Sequence, residues 1–173
     1  SNIDKVPDPS FSETERQQWK AEAKIFRGMM LFDLAHWFGN IPLNLSEAPD
    51  ITADNIEEVY PIYFPMPVSQ DSAYKQVIKD LTEAIPYAPA LNPNDKRVLS
   101  KTVAYALLAK LYAELGEWDK VIEYSDMVFA DGIALADNYA DLWKFDENIG
   151  DATRNNKETI LEAQYTAASG NWV

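Results

Sequence analysis

Apolar residues fall into a helical rhythm at Trp19, Ala23, Phe26, Met30, Leu34 and Trp37, each three or four positions from the last. This spacing predicts a first helix near residues 12–38. Ser12 followed by Glu15 makes a capping box, in which each side chain accepts from an otherwise orphaned backbone N–H. From Ile25 to Phe38 apolar groups surround nearly the whole helix, broken by Arg27, Asp33 and His36, a pattern that calls for burial between neighbours. Gly39-Asn40 offers the left-handed ending, and Pro42 bars resumption. A second helix is predicted near 71–86 from Tyr74, Val77, Ile78, Leu81 and Ile85. A third is predicted near 100–115 from Val103, Leu107, Leu108, Leu111, Tyr112 and Leu115, and a fourth near 118–130 from Trp118, Val121, Ile122, Ser125, Val128 and Phe129. Only Gly116-Glu117 separates the last two, so they must lie antiparallel.

Between the first two helices, residues 40–68 carry Pro42, Pro49, Pro61, Pro65 and Pro67 and keep no sustained period, which predicts a long ordered loop. After Gly132 the chain turns polar and acidic, and Ile160 to Tyr165 reads as a short strand. The third and fourth helices resemble a tetratricopeptide repeat. Leu108, Ala109, Tyr112, Gly116, Trp118 and Tyr124 stand where the repeat places its large–small–large set, turn glycine and second-helix aromatics. Val121 and Asp131-Gly132 depart from it. The first two helices could form another such pair, with the proline-rich loop inserted between them. The expected fold is mainly α: antiparallel helix pairs of tetratricopeptide-like type, a long proline-rich loop and a short C-terminal strand segment.

Composition narrows the function. The 173 residues are 47% hydrophobic, enough for one domain with a core. A net charge of −13 opposes nucleic acid and anionic lipid as partners. There is no cysteine, which removes disulfides, thiol nucleophiles and Cys-type zinc sites, and the single histidine, His36, rules out a two-histidine metal site. No apolar run approaches the ~20 residues of a membrane span, and the N-terminus does not read as a signal peptide.

Taken in order, the motifs resemble the SusD/RagB family of outer-membrane nutrient-binding lipoproteins. The run Ala21-Glu22-Ala23-Lys24-Ile25-Phe26-Arg27-Gly28, then Phe32-Asp33-Leu34, then Phe38-Gly39-Asn40-Ile41-Pro42-Leu43, is similar to that family's signature, with Gly28 replacing its usual alanine. Asp80-Leu81, Ala104-Tyr105-Ala106-Leu107-Leu108-Ala109, Tyr139-Ala140-Asp141-Leu142 and Glu158-Thr159-Ile160-Leu161-Glu162 follow in the family's order. Members are several times longer and begin with a signal and a lipidated cysteine, so the chain reads as an internal fragment, 1–173 of one SusD-like domain. Residues 12–131 would be its helical repeat region and 132–173 the start of the variable half. The resemblance implies a non-enzymatic, cofactor-free protein on the outer membrane that captures glycans, or sometimes peptides, for a SusC-like TonB-dependent transporter. A tetratricopeptide scaffold for protein–protein interaction and a helical carbohydrate-active enzyme are the alternatives. A scaffold would keep regular repeats about 34 residues apart, and an enzyme would need a carboxylate pair across a cleft.

Candidate residues divide accordingly. Trp19, Phe26, Met30 and Trp37 are expected in the core, and Trp118 and Tyr112 around the turn of the repeat. His36 is expected as a hydrogen-bonded core histidine, in a network with Arg27 and Asp33. Asp146, Glu147, Asn148 and Asp151 offer oxygen ligands of the calcium type but lack EF-hand spacing, which favours a solvated acidic loop. Trp172 beside Asn171 lies outside any helical period, where an indole can stack on a sugar ring and an amide can read hydroxyls. These two are the expected ligand contacts, the alternative being a tryptophan covered in a longer protein.

Overall fold

A computed structural model describes residues 2–6, 10–45, 47, 49–146, 151–152 and 154–164. Helix α1 (Glu13–Phe38) opens on the expected capping box: the Ser12 N–H donates to Glu15 Oε2 at 2.8 Å and the Glu15 N–H to Ser12 Oγ at 3.2 Å. Donation from the Ser12 N–H, and from the Ser12 hydroxyl at 2.7 Å, holds the Glu15 carboxyl below its usual pKa. Gly39 closes α1 at φ +71°, where a side chain would be strained, and its N–H donates to Ala35 O at 2.9 Å. The short strand β1 (Ile41–Pro42) pairs antiparallel with β2 (Pro67–Val68), Ile41 opposite Val68, which clips the 40–68 segment shut at its base. Helix α3 (Gln70–Ala84) then runs back along α1. Ala35 O accepts from Gln70 Nε2, Gly28 meets Val77 and Leu81, and Lys24 reaches Glu83 at 2.7 Å. Gly28 permits this approach: a Cβ there would sit 3.1 Å from Leu81 Cδ2.

Helices α4 (Lys101–Leu115) and α5 (Trp118–Ala130) form the second pair. Gly116 takes the left-handed conformation (φ 73°, ψ 17°) and donates to Ala113 O, and the Glu117 N–H reaches Tyr112 O at 3.0 Å. This double closure caps the last carbonyls of α4 and reverses the chain. Tyr112 stacks on Tyr124 across the pair at 5.7 Å, and Thr102 Oγ1 donates to Asp131 Oδ2 at 2.6 Å at its far end. Helix α3 bridges the two pairs by packing on α4. The core they share is Ile25, Phe32, Val77, Leu81, Leu108 and Leu111, all at or near zero exposure.

Several expectations are corrected. The proline-rich segment is not only loop: Ile56–Tyr63 forms helix α2 with Pro61 inside it. Residues 160–164 do not form a strand; their backbone is tied through the Glu162 N–H to Lys96 O at 2.8 Å. Among the described residues after Gly132, the short strands are instead β3 (Phe145–Asp146) and β4 (Asp151–Ala152). Trp19, Phe26, Met30 and Trp37 are not core, because α3 covers the face of α1 that carries Ala21, Ile25, Gly28, Phe32 and Ala35 and leaves the opposite face open. Trp118 is 65% exposed for the same reason, since α4 covers the other side of α5.

His36 is not buried and joins no network with Arg27 and Asp33. Each of the three crosses from α1 to a different residue. Arg27 forks onto Asp80 (Nε to Oδ2 2.7 Å, a terminal nitrogen to Oδ1 2.6 Å), Asp33 lies 3.9 Å from Lys110, and His36 Nδ1 lies 3.6 Å from Glu114. The Asp80 partnership raises the Arg27 pKa above the usual guanidinium value. Charge on an otherwise greasy helix therefore aligns α1 with α3 and α4.

Candidate functional site

The segment expected to begin the ligand-facing half of the longer domain starts after Gly132 and is attached to the repeats by a polar clasp. Lys96 is 3% exposed, and its ammonium donates to Asn156 O and Thr159 O, both at 2.6 Å. Its N–H donates to Asn155 Oδ1 at 3.0 Å, while Asn155 Nδ2 reaches Asn94 O at 2.9 Å. Asn155 sits at φ 50°, a left-handed position that asparagine tolerates better than most residues. The Asn155 N–H donates to Glu162 Oε1 at 2.7 Å, and Gln164 Nε2 bridges Asn155 and Glu162. Burial pushes the Lys96 pKa below the usual lysine value, and Glu162 partly opposes that shift. Next to it, Arg97 holds the Asp95 carboxyl at about 2 through paired hydrogen bonds. Within the segment itself, the Ala136 N–H donates to Glu158 Oε1 at 2.6 Å.

The clasp predicts a local result. Lys96→Met removes two charge-assisted bonds from part-buried carbonyls and leaves Thr159 O without this donor, at a cost of about 2–3 kcal/mol. Hydrogen exchange of the amides of 155–162 should accelerate, while the α1 and α3 amides keep their protection. Uniform acceleration across all helices would show that the clasp supports the whole fold.

In the stretch between Gly132 and the clasp residues, a 3-10 turn (Tyr139–Trp143) presents an aromatic pair. Tyr139 is 71% and Trp143 73% exposed, their rings edge to face at 6.3 Å. Asn138 Oδ1 accepts from the Ala140 N–H at 3.0 Å, and Asp141 pairs with Lys144 at 2.7 Å, which fixes the turn. Two aromatics four residues apart in a polar stretch were a legible signal for this surface, although the motif reading assigned them no ligand role. Trp172 and Asn171 lie outside the described residues, as do Glu147 and Asn148. Asp146 and Asp151 are backbone partners in the β3–β4 register. Among the described residues no group of three or more His, Cys, Asp or Glu side chains is placed to hold a metal ion. No helix among them is long and apolar enough to cross a membrane.

The comparisons with known proteins point to one family. A SusD-like family model described as starch-binding and associating with the outer membrane matches residues 2–113. No curated protein matches the chain. A laminarin-binding SusD-like protein superposes over 97% of the chain with a TM-score of 0.77 and 29% identity. A SusD superfamily protein from Bacteroides vulgatus covers 89% with a TM-score of 0.69 and 26% identity. A SusD-like protein from Bacteroides fragilis, at 23% identity, shares the fold over 91% with a TM-score of 0.69. The chain spans only 35%, 30% and 29% of these three structures, respectively. With the family model matching well over half its length and the antiparallel helix pairs in place, the chain belongs to the SusD-like family.

Proposed function

We propose that this chain is part of a lipid-anchored glycan-binding protein on the outer-membrane surface, working with a SusC-like TonB-dependent transporter and binding its ligand without cleaving it. The observation that carries the reading is the superposition of 97% of the chain on a laminarin-binding member of its own family. The net charge of −13 supports it by disfavouring nucleic acid and anionic lipid. Residues 12–131 form the platform, and 132–173 begin the ligand-facing half of one SusD-like domain. In a longer protein further chain would cover the open faces of α1 and α5.

Trp172, with Asn171 beside it, is the proposed ligand contact within these residues. Stacking on an indole is worth on the order of 1–3 kcal/mol, comparable to burying one large side chain. Titration calorimetry of the full-length protein with laminarin and soluble starch should give saturable binding and no new reducing ends. Trp172→Ala should weaken that binding ~5–150-fold at an unchanged thermal midpoint. A lowered midpoint with unchanged affinity would return Trp172 to the core. Release of reducing ends would overturn the non-enzymatic reading.

A further inference from the structure

We propose that the excursion formed by residues 40–68 is a docking surface for a protein partner whose apolar hollow is rimmed by lysine and arginine. The inference rests on the transporter partnership proposed above and assigns it a surface on this chain.

The excursion leaves the repeats as one unit, clipped at its base by the β1–β2 pairing. Its helix α2 buries Val59 and turns Ile56, Tyr60 and Phe64 outward, with the Tyr60 and Phe64 rings 4.8 Å apart. Met66, just beyond, is 83% exposed. Such a cluster stays in water only at a cost, and contiguous exposed apolar groups mark interaction sites. The segment is also built to hold its shape. The Tyr63 hydroxyl donates to Pro49 O at 2.7 Å, Asn44 Nδ2 to Ile62 O at 2.8 Å, and Asn55 Nδ2 to Asp50 O at 2.9 Å. A surface ordered before binding pays less entropy on association.

Charge selects the occupant. Residues 40–68 carry Glu47, Asp50, Asp54, Glu57 and Glu58 and no Lys, Arg or His. Glu47 meets Lys5 at 3.3 Å. Glu57 and Glu58 are exposed beside the outward face of α2. An apolar centre with a charged rim is the anatomy of a protein–protein interface, and a wholly acidic rim calls for a basic one opposite. An anionic lipid surface is repelled by the same carboxylates. Ile56 and Met66 give a sugar neither a stacking plane nor a hydrogen bond.

The test uses full-length protein and its transporter, purified in detergent, with laminarin as the second probe. The double substitution Tyr60→Ser/Phe64→Ser should raise the transporter Kd at least ~10-fold, mainly through faster dissociation. Glu57→Lys/Glu58→Lys should slow association several-fold at low salt, with the difference shrinking as salt is added. Laminarin affinity and thermal midpoint should hold in both. A double variant that binds transporter like wild type overturns the surface. So does a fall in laminarin affinity with transporter binding intact, which would make the excursion a glycan surface. Wild-type protein that never binds the transporter would sink the partnership and this surface with it, whereas wild-type binding beside unaffected variants sinks this surface alone.

Discussion

Phe32→Ala is expected to cost this chain about 3–5 kcal/mol of folding free energy, the range for deleting a buried large aromatic, while Trp118→Ala costs less than about 1 kcal/mol. Phe32 is 1% exposed and packed from three sides: the Tyr74 and His36 rings each stack on it at 5.8 Å, and the Lys110 ammonium lies 4.8 Å from its centroid. It joins α1, α3 and α4 at one point, so truncation opens a cavity that helices held by several other contacts cannot close. Trp118 loses only the contacts of an indole two-thirds in water. Denaturant midpoints of the two variants measure the contrast in this chain. Equal losses would mean that the open face of α5 is packed after all.

Arg27→Ala is expected to cost about 3 kcal/mol, the lower end for breaking a buried ion pair, because the guanidinium itself is partly solvated. Its loss leaves the Asp80 carboxylate, 1% exposed, with the neutral Gln76 Nε2 at 2.9 Å as its remaining side-chain donor among the bonds described. The pair Arg27→Met/Asp80→Leu should recover most of the loss, since a dry apolar contact between α1 and α3 replaces the stranded charge. Thermal unfolding of the two variants decides it. A double variant no more stable than Arg27→Ala alone would mean that the pair's geometry, and not the stranded charge, carries the effect.

Helix positions were legible in the sequence because apolar spacing, the Ser12–Glu15 box and Gly116 act within one or two turns of chain. The face each helix buries was not. From Ile25 to Phe38 helix α1 is apolar nearly all round, and only the arrival of α3 decides that Ile25 and Phe32 go inside while Phe26 and Trp37 stay out. Helix α2 escaped notice because its eight residues are too few to show a period and Pro61 reads as a breaker. The alternation at 160–165 suggests a strand, but over 160–164 no strand partner lies alongside, and the Glu162 N–H instead donates to Lys96 O. After Gly132, Tyr139 and Trp143 stand out in the sequence as two aromatics in a polar stretch, and their exposure and edge-to-face contact come from the structure. Trp172 remains a reading of sequence context.

The most direct test of the central claim is to isolate the full-length protein from native outer membranes in mild detergent and weigh the complex by native mass spectrometry. A surface glycan-capture protein of the SusD-like family should come out with a TonB-dependent barrel in fixed stoichiometry. A protein that emerges alone at every detergent and salt condition tried, or bound only to soluble partners, would contradict the account.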